Sequence, residues 1–177
     1  MKSEEHVDRI ALLPKHYLVT CGTGISAVSA INAFDIALRA AGIGDLNLVK
    51  VSSILPKNAR RLNFDRLQVA RLFEKGEIVF VVEARAAGSA GKYLYSGLVW
   101  AEGVESSGLV IEHTCEMDGV IGEVESWRNV NTRTMEAKFE ELVRSRDSST
   151  KERDSLHVEL SVPSGSFGCA LVALVLF

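Results

Sequence analysis

Apolar residues along this chain come in short runs set apart by polar punctuation, and the runs follow two different periods. Tyr17 to Cys21 is a compact apolar run that predicts a buried strand. From Ser26 to Ala41, Val28, Ile31, Ala33, Phe34, Ala37 and Leu38 recur at helical spacing, and Gly42 and Gly44 stop the helix. Leu46 to Ser52 predicts the next strand, closed off by Pro56 because a residue before proline is pushed out of regular helix. Lys57 to Asn63 reads as a polar loop, and the segment through Phe73 shows no decisive period.

Further along, Glu77 to Ala84 and Leu109 to Cys115 predict strands, while Ala86 to Gly91 is small and flexible. Tyr93 to Glu102 fits either helix or strand. The polar stretch from Ile121 to Arg146 predicts a helix in its second half, where Met135, Phe139, Leu142 and Val143 share one face. Asp147 to Thr150 is a loop. Leu156 to Val162 and Phe167 to Leu176 predict two last strands, with Pro163-Ser164-Gly165-Ser166 as a hairpin-like turn between them. No repeat or low-complexity linker interrupts the series, so the expectation is a single α/β domain over residues 1–177.

Composition narrows the functional classes. The chain has 177 residues, 47% hydrophobic and 24% charged, enough for a sizeable core in one domain. A net charge of −3 gives no basic face for nucleic acid. Met1-Lys2-Ser3-Glu4-Glu5-His6 offers no apolar signal segment, and the run Cys169 to Phe177 is too short to span a bilayer as a helix. Cys21, Cys115 and Cys169 fit no metal spacing, so we expect no metal site and buried thiols in a reducing cytoplasm. His6, His16 and His157 have no ligand or triad spacing.

Two segments compete for the chemistry. Gly22-Thr23-Gly24-Ile25-Ser26-Ala27 fits G-x-G-x-x-A between a strand and a helix, a nucleotide-binding pattern that holds phosphate on a helix N-terminus. The acidic residue that should close the following strand is out of place, because Asp45 precedes that strand. Glycines permitting a tight strand-to-helix turn explain the same residues. The second segment is Asn47-Leu48-Val49-Lys50-Val51-Ser52-Ser53-Ile54-Leu55-Pro56, where two serines end a strand-like run.

Set behind Asn32-Ala33-Phe34-Asp35 and Ala41-Gly42-Ile43-Gly44-Asp45-Leu46-Asn47, that Ser-Ser pair resembles the self-cleavage site of the pyruvoyl-dependent arginine decarboxylases. The resemblance is specific from about Thr20 to Pro56 and weaker through Gly108–Glu112 and Gly168-Cys169-Ala170. It implies a four-layer α-β-β-α sandwich, cut between Ser52 and Ser53 into a β chain, 1–52, and an α chain, 53–177. Ser53 would become the pyruvoyl group, so neither pyridoxal phosphate nor metal is called for. By Schiff-base chemistry on that group the mainly archaeal family turns L-arginine into agmatine and carbon dioxide, feeding polyamine synthesis. The resemblance also implies a cytoplasmic trimer of αβ heterodimers, with no nucleic-acid or membrane partner.

Site roles come from the same source. Glu112 matches the proton donor, and among apolar neighbours a carboxyl stays protonated near neutral pH. Asn47 matches a residue beside the pyruvoyl group, its amide suited to an oxyanion. Asp35 matches the carboxylate that meets the guanidinium, a planar group able to give two parallel hydrogen bonds. Each has a plainer reading: a solvent-facing Glu112, a strand-edge Asn47, and Asp35 paired with Arg39 one helical turn on. Strand alternation sends Glu112 and His113 to opposite faces, which makes His113 structural. Two other functional classes stay open, a small nucleotide-binding protein using Gly22–Ala27 and a non-catalytic homologue of the same fold.

Overall fold

The computed structural model describes residues 12–118 and 124–177, so the charged stretch Met1–His6 and residues 121–123, the start of the polar stretch, lie outside the described residues. Along the chain come β1 (His16–Ser26), α1 (Ala30–Ala40), β2 (Asn47–Lys50), β3 (Ile54–Leu55), β4 (Arg60–Arg61) and α2 (Arg66–Leu72). They are followed by β5 (Ile78–Ser89), β6 (Lys92–Ala101), β7 (Gly108–Asp118), α3 (Val124–Ser145), β8 (Asp154–Ser161) and β9 (Phe167–Leu176). The strands form a five-stranded sheet in the order β2-β5-β9-β1-β4 and a four-stranded sheet in the order β3-β7-β6-β8.

Strand β9 shows why these sheets stack. Its residues are buried on both faces, and side chains alternate along a strand. Cys169, Leu171, Ala173 and Val175 join Ala33, Ala37 and Ala41 in the core beneath α1. Val172, Leu174 and Leu176 face the other way, meeting Leu98, Trp100 and Val110 of the second sheet. On that sheet's far side Val99, Ala101 and Leu109 receive Met135 and Phe139 of α3. The result is the four-layer α-β-β-α sandwich.

Gly22 and Gly24 do not make a phosphate loop or a strand-to-helix turn. Both lie inside β1, where Gly22 pairs with Leu171 and Gly24 with Cys169 of β9. A Cβ on Gly24 would stand 2.0 Å from Ala33 O, and one on Gly22 2.2 Å from Ala37 O. The glycines therefore let α1 lie directly on the strand. The helix starts later than expected, with Ser29 as N-cap accepting from Asn32 N–H. This removes the structural basis of the nucleotide-binding alternative.

Other departures have equally local causes. The Pro163–Ser166 turn makes no hairpin, because β8 pairs with β6 in one sheet and β9 with β1 and β5 in the other. Ala86 to Ser89 continues β5 rather than forming a flexible linker, and the ambiguous Tyr93 segment is strand β6. Helix α3 is already formed at Val124, its first half fixed to the sheet by Trp127 edge-on to Tyr93 and by Asn131 bonded to His113. The undecided stretch before Phe73 holds α2, started by a reciprocal Asp65–Gln68 capping box.

Gly24→Ala tests the close approach of α1 to β1. The added methyl meets backbone that cannot rotate away, so unfolding free energy should fall by about 1–3 kcal/mol or more. Urea denaturation followed by circular dichroism measures it, and an unchanged midpoint would contradict the packing described.

Candidate active site at the crossing between sheets

Strands β2 and β3 are edge strands of different sheets, so the chain must pass from one sheet to the other between them. Val51 N–H still donates to Val81 O of the first sheet at 3.0 Å. Ser53 O already accepts from Val110 N–H of the second at 3.0 Å. Ser52 alone spans the gap, and the Ser52–Ser53 peptide bond is clamped from both sides. Just beyond it Ile54 N–H donates to Ser52 O at 2.7 Å. The strand expected to run to Ser52 thus stops at Lys50, and the serines occupy a crossing rather than a strand end.

Ser53 Oγ donates to Glu112 Oε2 at 2.9 Å, joining residues far apart in sequence. The alternation of β7 explains the placement. Val110 faces the space between the sheets, with Glu112 two residues further on the same side, while Leu109 and Ile111 face α3. Glu112 opens onto a cavity of about 320 Å³ that it shares with Lys50, Glu83, Arg85, Thr114 and Lys138. Glu112 is exposed, so the apolar surroundings expected for it are not what a single chain supplies. Glu83 is only 8% exposed and pairs with Lys50 Nζ at 3.4 Å and Arg85 Nε at 3.5 Å. The Arg85 guanidinium also sits 4.3 Å from the centre of the Phe34 ring.

His113 turns to the opposite face of β7, as alternation requires, and is 8% exposed. Asn131 Nδ2 donates to Trp127 O at 2.9 Å, which leaves Asn131 Oδ1 to face His113 Nε2 at 2.8 Å. Nε2 then carries the proton, and Nδ1 accepts from Lys138 Nζ at 3.1 Å. Burial, and then the Lys138 charge, hold the imidazole pKa below its usual value. A neutral His113 thereby tethers the lysine that lines the Glu112 cavity.

Two expected site residues are not brought to Ser53 in one chain. Asn47 Nδ2 donates to Gly76 O at 2.6 Å, at the far end of β2 and five residues, about 16 Å of extended chain, before Ser52. In this chain it completes a turn rather than serving an oxyanion at Ser52. Asp35 lines a different cavity with Arg39, Asp45 and Lys75. Among the described residues no ion pair joins Asp35 to Arg39, and Lys75 pairs with Asp45 instead.

A family model described as pyruvoyl-dependent arginine decarboxylase matches residues 16–177. The chain belongs to this family. It is 38% identical over 108 residues to the pyruvoyl-dependent arginine decarboxylase of Methanopyrus kandleri, an alignment covering 61% of this chain and 65% of that protein. To pyruvoyl-dependent arginine decarboxylase 2 of Archaeoglobus fulgidus it is 34% identical over 110 residues, 60% of this chain and 68% of the relative. To the pyruvoyl-dependent arginine decarboxylase of Methanothermobacter thermautotrophicus it is 40% identical over 84 residues, 48% of this chain and 52% of the relative. The chain thus spans just under two thirds of the Methanopyrus relative and about half of the Methanothermobacter one.

A pyruvoyl group fits at Ser53. It would keep the Ser53 carbonyl, which Val110 N–H anchors, and its keto carbon would stand where Cα now is, in the residue that bonds Glu112, itself on the wall of the cavity. Sequence reasoning missed the cations of that cavity, although Glu83 and Arg85, two apart in an otherwise apolar strand, were a visible signal. Among the described residues no group of His, Cys, Asp and Glu has the arrangement to hold a metal ion, and no helix is long and apolar enough to cross a membrane.

The His113 tether predicts an acid sensitivity. Its pKa is depressed in the folded chain, so its contribution is complete above the unfolded value, about 6.5, and is lost as pH falls through the folded value. His113→Gln should flatten the acid limb of the stability profile measured by urea unfolding from neutral pH to about pH 5. An equally steep limb in the variant would show that His113 is not the group responsible.

Proposed function

We propose that this chain cleaves itself between Ser52 and Ser53 and, once processed, decarboxylates L-arginine to agmatine and carbon dioxide. The observation that carries the reading is the hydrogen bond from Ser53 Oγ to Glu112 Oε2, at the crossing between sheets, in a member of this family. When formed, the pyruvoyl group supplies an electron-withdrawing carbonyl that engages the substrate α-amine and takes up charge as carbon dioxide leaves. Every other task falls to the chain's own residues. Before processing, Glu112 is placed to take the Ser53 hydroxyl proton; afterwards it is the group that returns a proton to the substrate Cα. Lys50, Arg85 and Lys138 set the electrostatics around it.

Asp35 remains the group proposed to meet the guanidinium. Since it lines another cavity in its own chain, a site containing both Asp35 and Ser53 takes Asp35 from a second copy. Val28, Ile31 and Ile36 leave α1 and its approach with exposed apolar side chains, a surface suited to self-association. We accordingly carry the assembly as a trimer of αβ heterodimers. The three free thiols suit a reducing cytoplasm.

Release of labelled carbon dioxide from carboxyl-labelled arginine tests the reading. Wild type should release label and Ser53→Ala none, since no hydroxyl remains to generate the carbonyl. Asp35→Asn should keep cleavage but raise KM for arginine about ten- to a hundredfold, the scale of one lost charge-assisted pair. Label release by Ser53→Ala would refute the cofactor. Unchanged arginine kinetics in Asp35→Asn would remove Asp35 from the substrate site.

A further inference from the structure

Self-cleavage of the Ser52–Ser53 bond needs a donor for the oxygen of Ser52, because that oxygen carries the charge when a hydroxyl adds to its carbon. Asn47 stands at the opposite end of β2, five residues before Ser52, with its amide turned to Gly76 O, so it does not reach that oxygen within the chain. Val110 N–H is nearby but bonded to the oxygen of Ser53, the wrong carbonyl. Among the described residues no side chain donates to Ser52 O, yet the oxygen is not free. Ile54 N–H holds it at 2.7 Å.

We propose that the backbone N–H of Ile54 is the oxyanion donor for cleavage at Ser52–Ser53. The inference rests on the self-cleavage reading above and deepens it. The bond joins residues two apart and closes a seven-membered ring through Ser53, a γ-turn. Ser53 is not among the residues with positive φ, so the turn is the inverse form that commonly ends strands. The turn therefore puts the scissile carbonyl and the attacking side chain into one rigid unit: the residue at its centre carries the hydroxyl, and its hydrogen bond grips the oxygen that becomes charged.

The acyl shift that opens cleavage balances without any added reagent. Ser53 Oγ bonds to the Ser52 carbonyl carbon, and the bond from that carbon to the Ser53 nitrogen breaks. The hydroxyl proton, taken up by Glu112 at 2.9 Å, ends on that nitrogen, leaving an ester where the amide was. As the Ser52 oxygen gains charge, the hydrogen bond from Ile54 becomes charge-assisted and strengthens, which is what a catalytic contact must do. The two clamps hold the crossing still while this happens, Val51 on Val81 and Ser53 on Val110. Elimination of the Ser52 carboxylate from the resulting ester then separates the chains, and water converts the dehydroalanine left at position 53 to the pyruvoyl group with release of ammonia.

Replacing Ile54 by its α-hydroxy acid removes this one N–H and keeps the side chain. Full-length precursor made this way should generate fragments about 10²–10³-fold more slowly than wild type, the usual cost of one oxyanion donor. The replacement also makes the Ser53 carbonyl an ester, a weaker acceptor for Val110. An α-hydroxy acid at Val110 removes that clamp and makes the Leu109 carbonyl an ester, but it keeps the Ile54 N–H, so it should slow cleavage at least tenfold less than the Ile54 replacement does. Equal slowing by both, or an undiminished rate in the Ile54 variant, overturns the inference while leaving self-cleavage standing. A wild-type precursor that never cleaves overturns both. Hydrogen exchange on the uncleavable Ser53→Ala chain adds a readout free of synthesis: the Ile54 amide should be protected, and rapid exchange would refute the bond.

Discussion

The arrangement depends on one strand buried on both faces. Because β9 sends alternate side chains under α1 and into the second sheet, the two sheets are stacked face to face around it. Stacking brings their edge strands β2 and β3 to the same side of the sandwich, where one serine bridges them. Hydrogen bonds on either flank leave that serine little freedom, so the hydrophobic pattern of a distant strand ends up fixing the geometry of a single peptide bond. The clamped geometry at Ser52–Ser53 is thus a consequence of layer architecture more than of local sequence.

The sheets also divide the labour at the site. The first contributes Glu83 and its two cations, the second contributes Glu112, and α3 contributes Lys138, held by a neutral histidine. The polar cavity lies at the open edge, where β3 leaves most of β7 unpaired. A short edge strand therefore serves two ends. It gives the serines access to Glu112, and it leaves the cavity beside Glu112 open.

Much of this was legible in sequence, for identifiable reasons. The period of Ala33 and Ala37 marked α1, the apolar run after Phe167 marked β9, and alternation separated Glu112 from His113. The family's quoted motif supplied the layers, and no sequence period does that. What was misread depended on contacts distant in the chain. Gly22 and Gly24 looked like a turn because nothing local shows α1 lying over them. Pro163–Ser166 looked like a hairpin because its flanking strands belong to different sheets. Asn47 bonds Gly76 at the opposite end of β2 from the serines, a placement that no local pattern shows, and the group proposed for part of its expected role is a main-chain N–H. Side-chain reasoning has no letter for such a donor, since every residue except proline carries one.

In the self-cleavage proposed for this chain, the bond that breaks is the clamped one between Ser52 and Ser53. Denaturing mass spectrometry of the purified protein tests it most directly. Two polypeptides are expected, with masses that divide the chain between those serines, the larger starting in a pyruvoyl group and therefore closed to Edman sequencing. A single intact chain from a correctly folded preparation, or a break at any other bond, would contradict it.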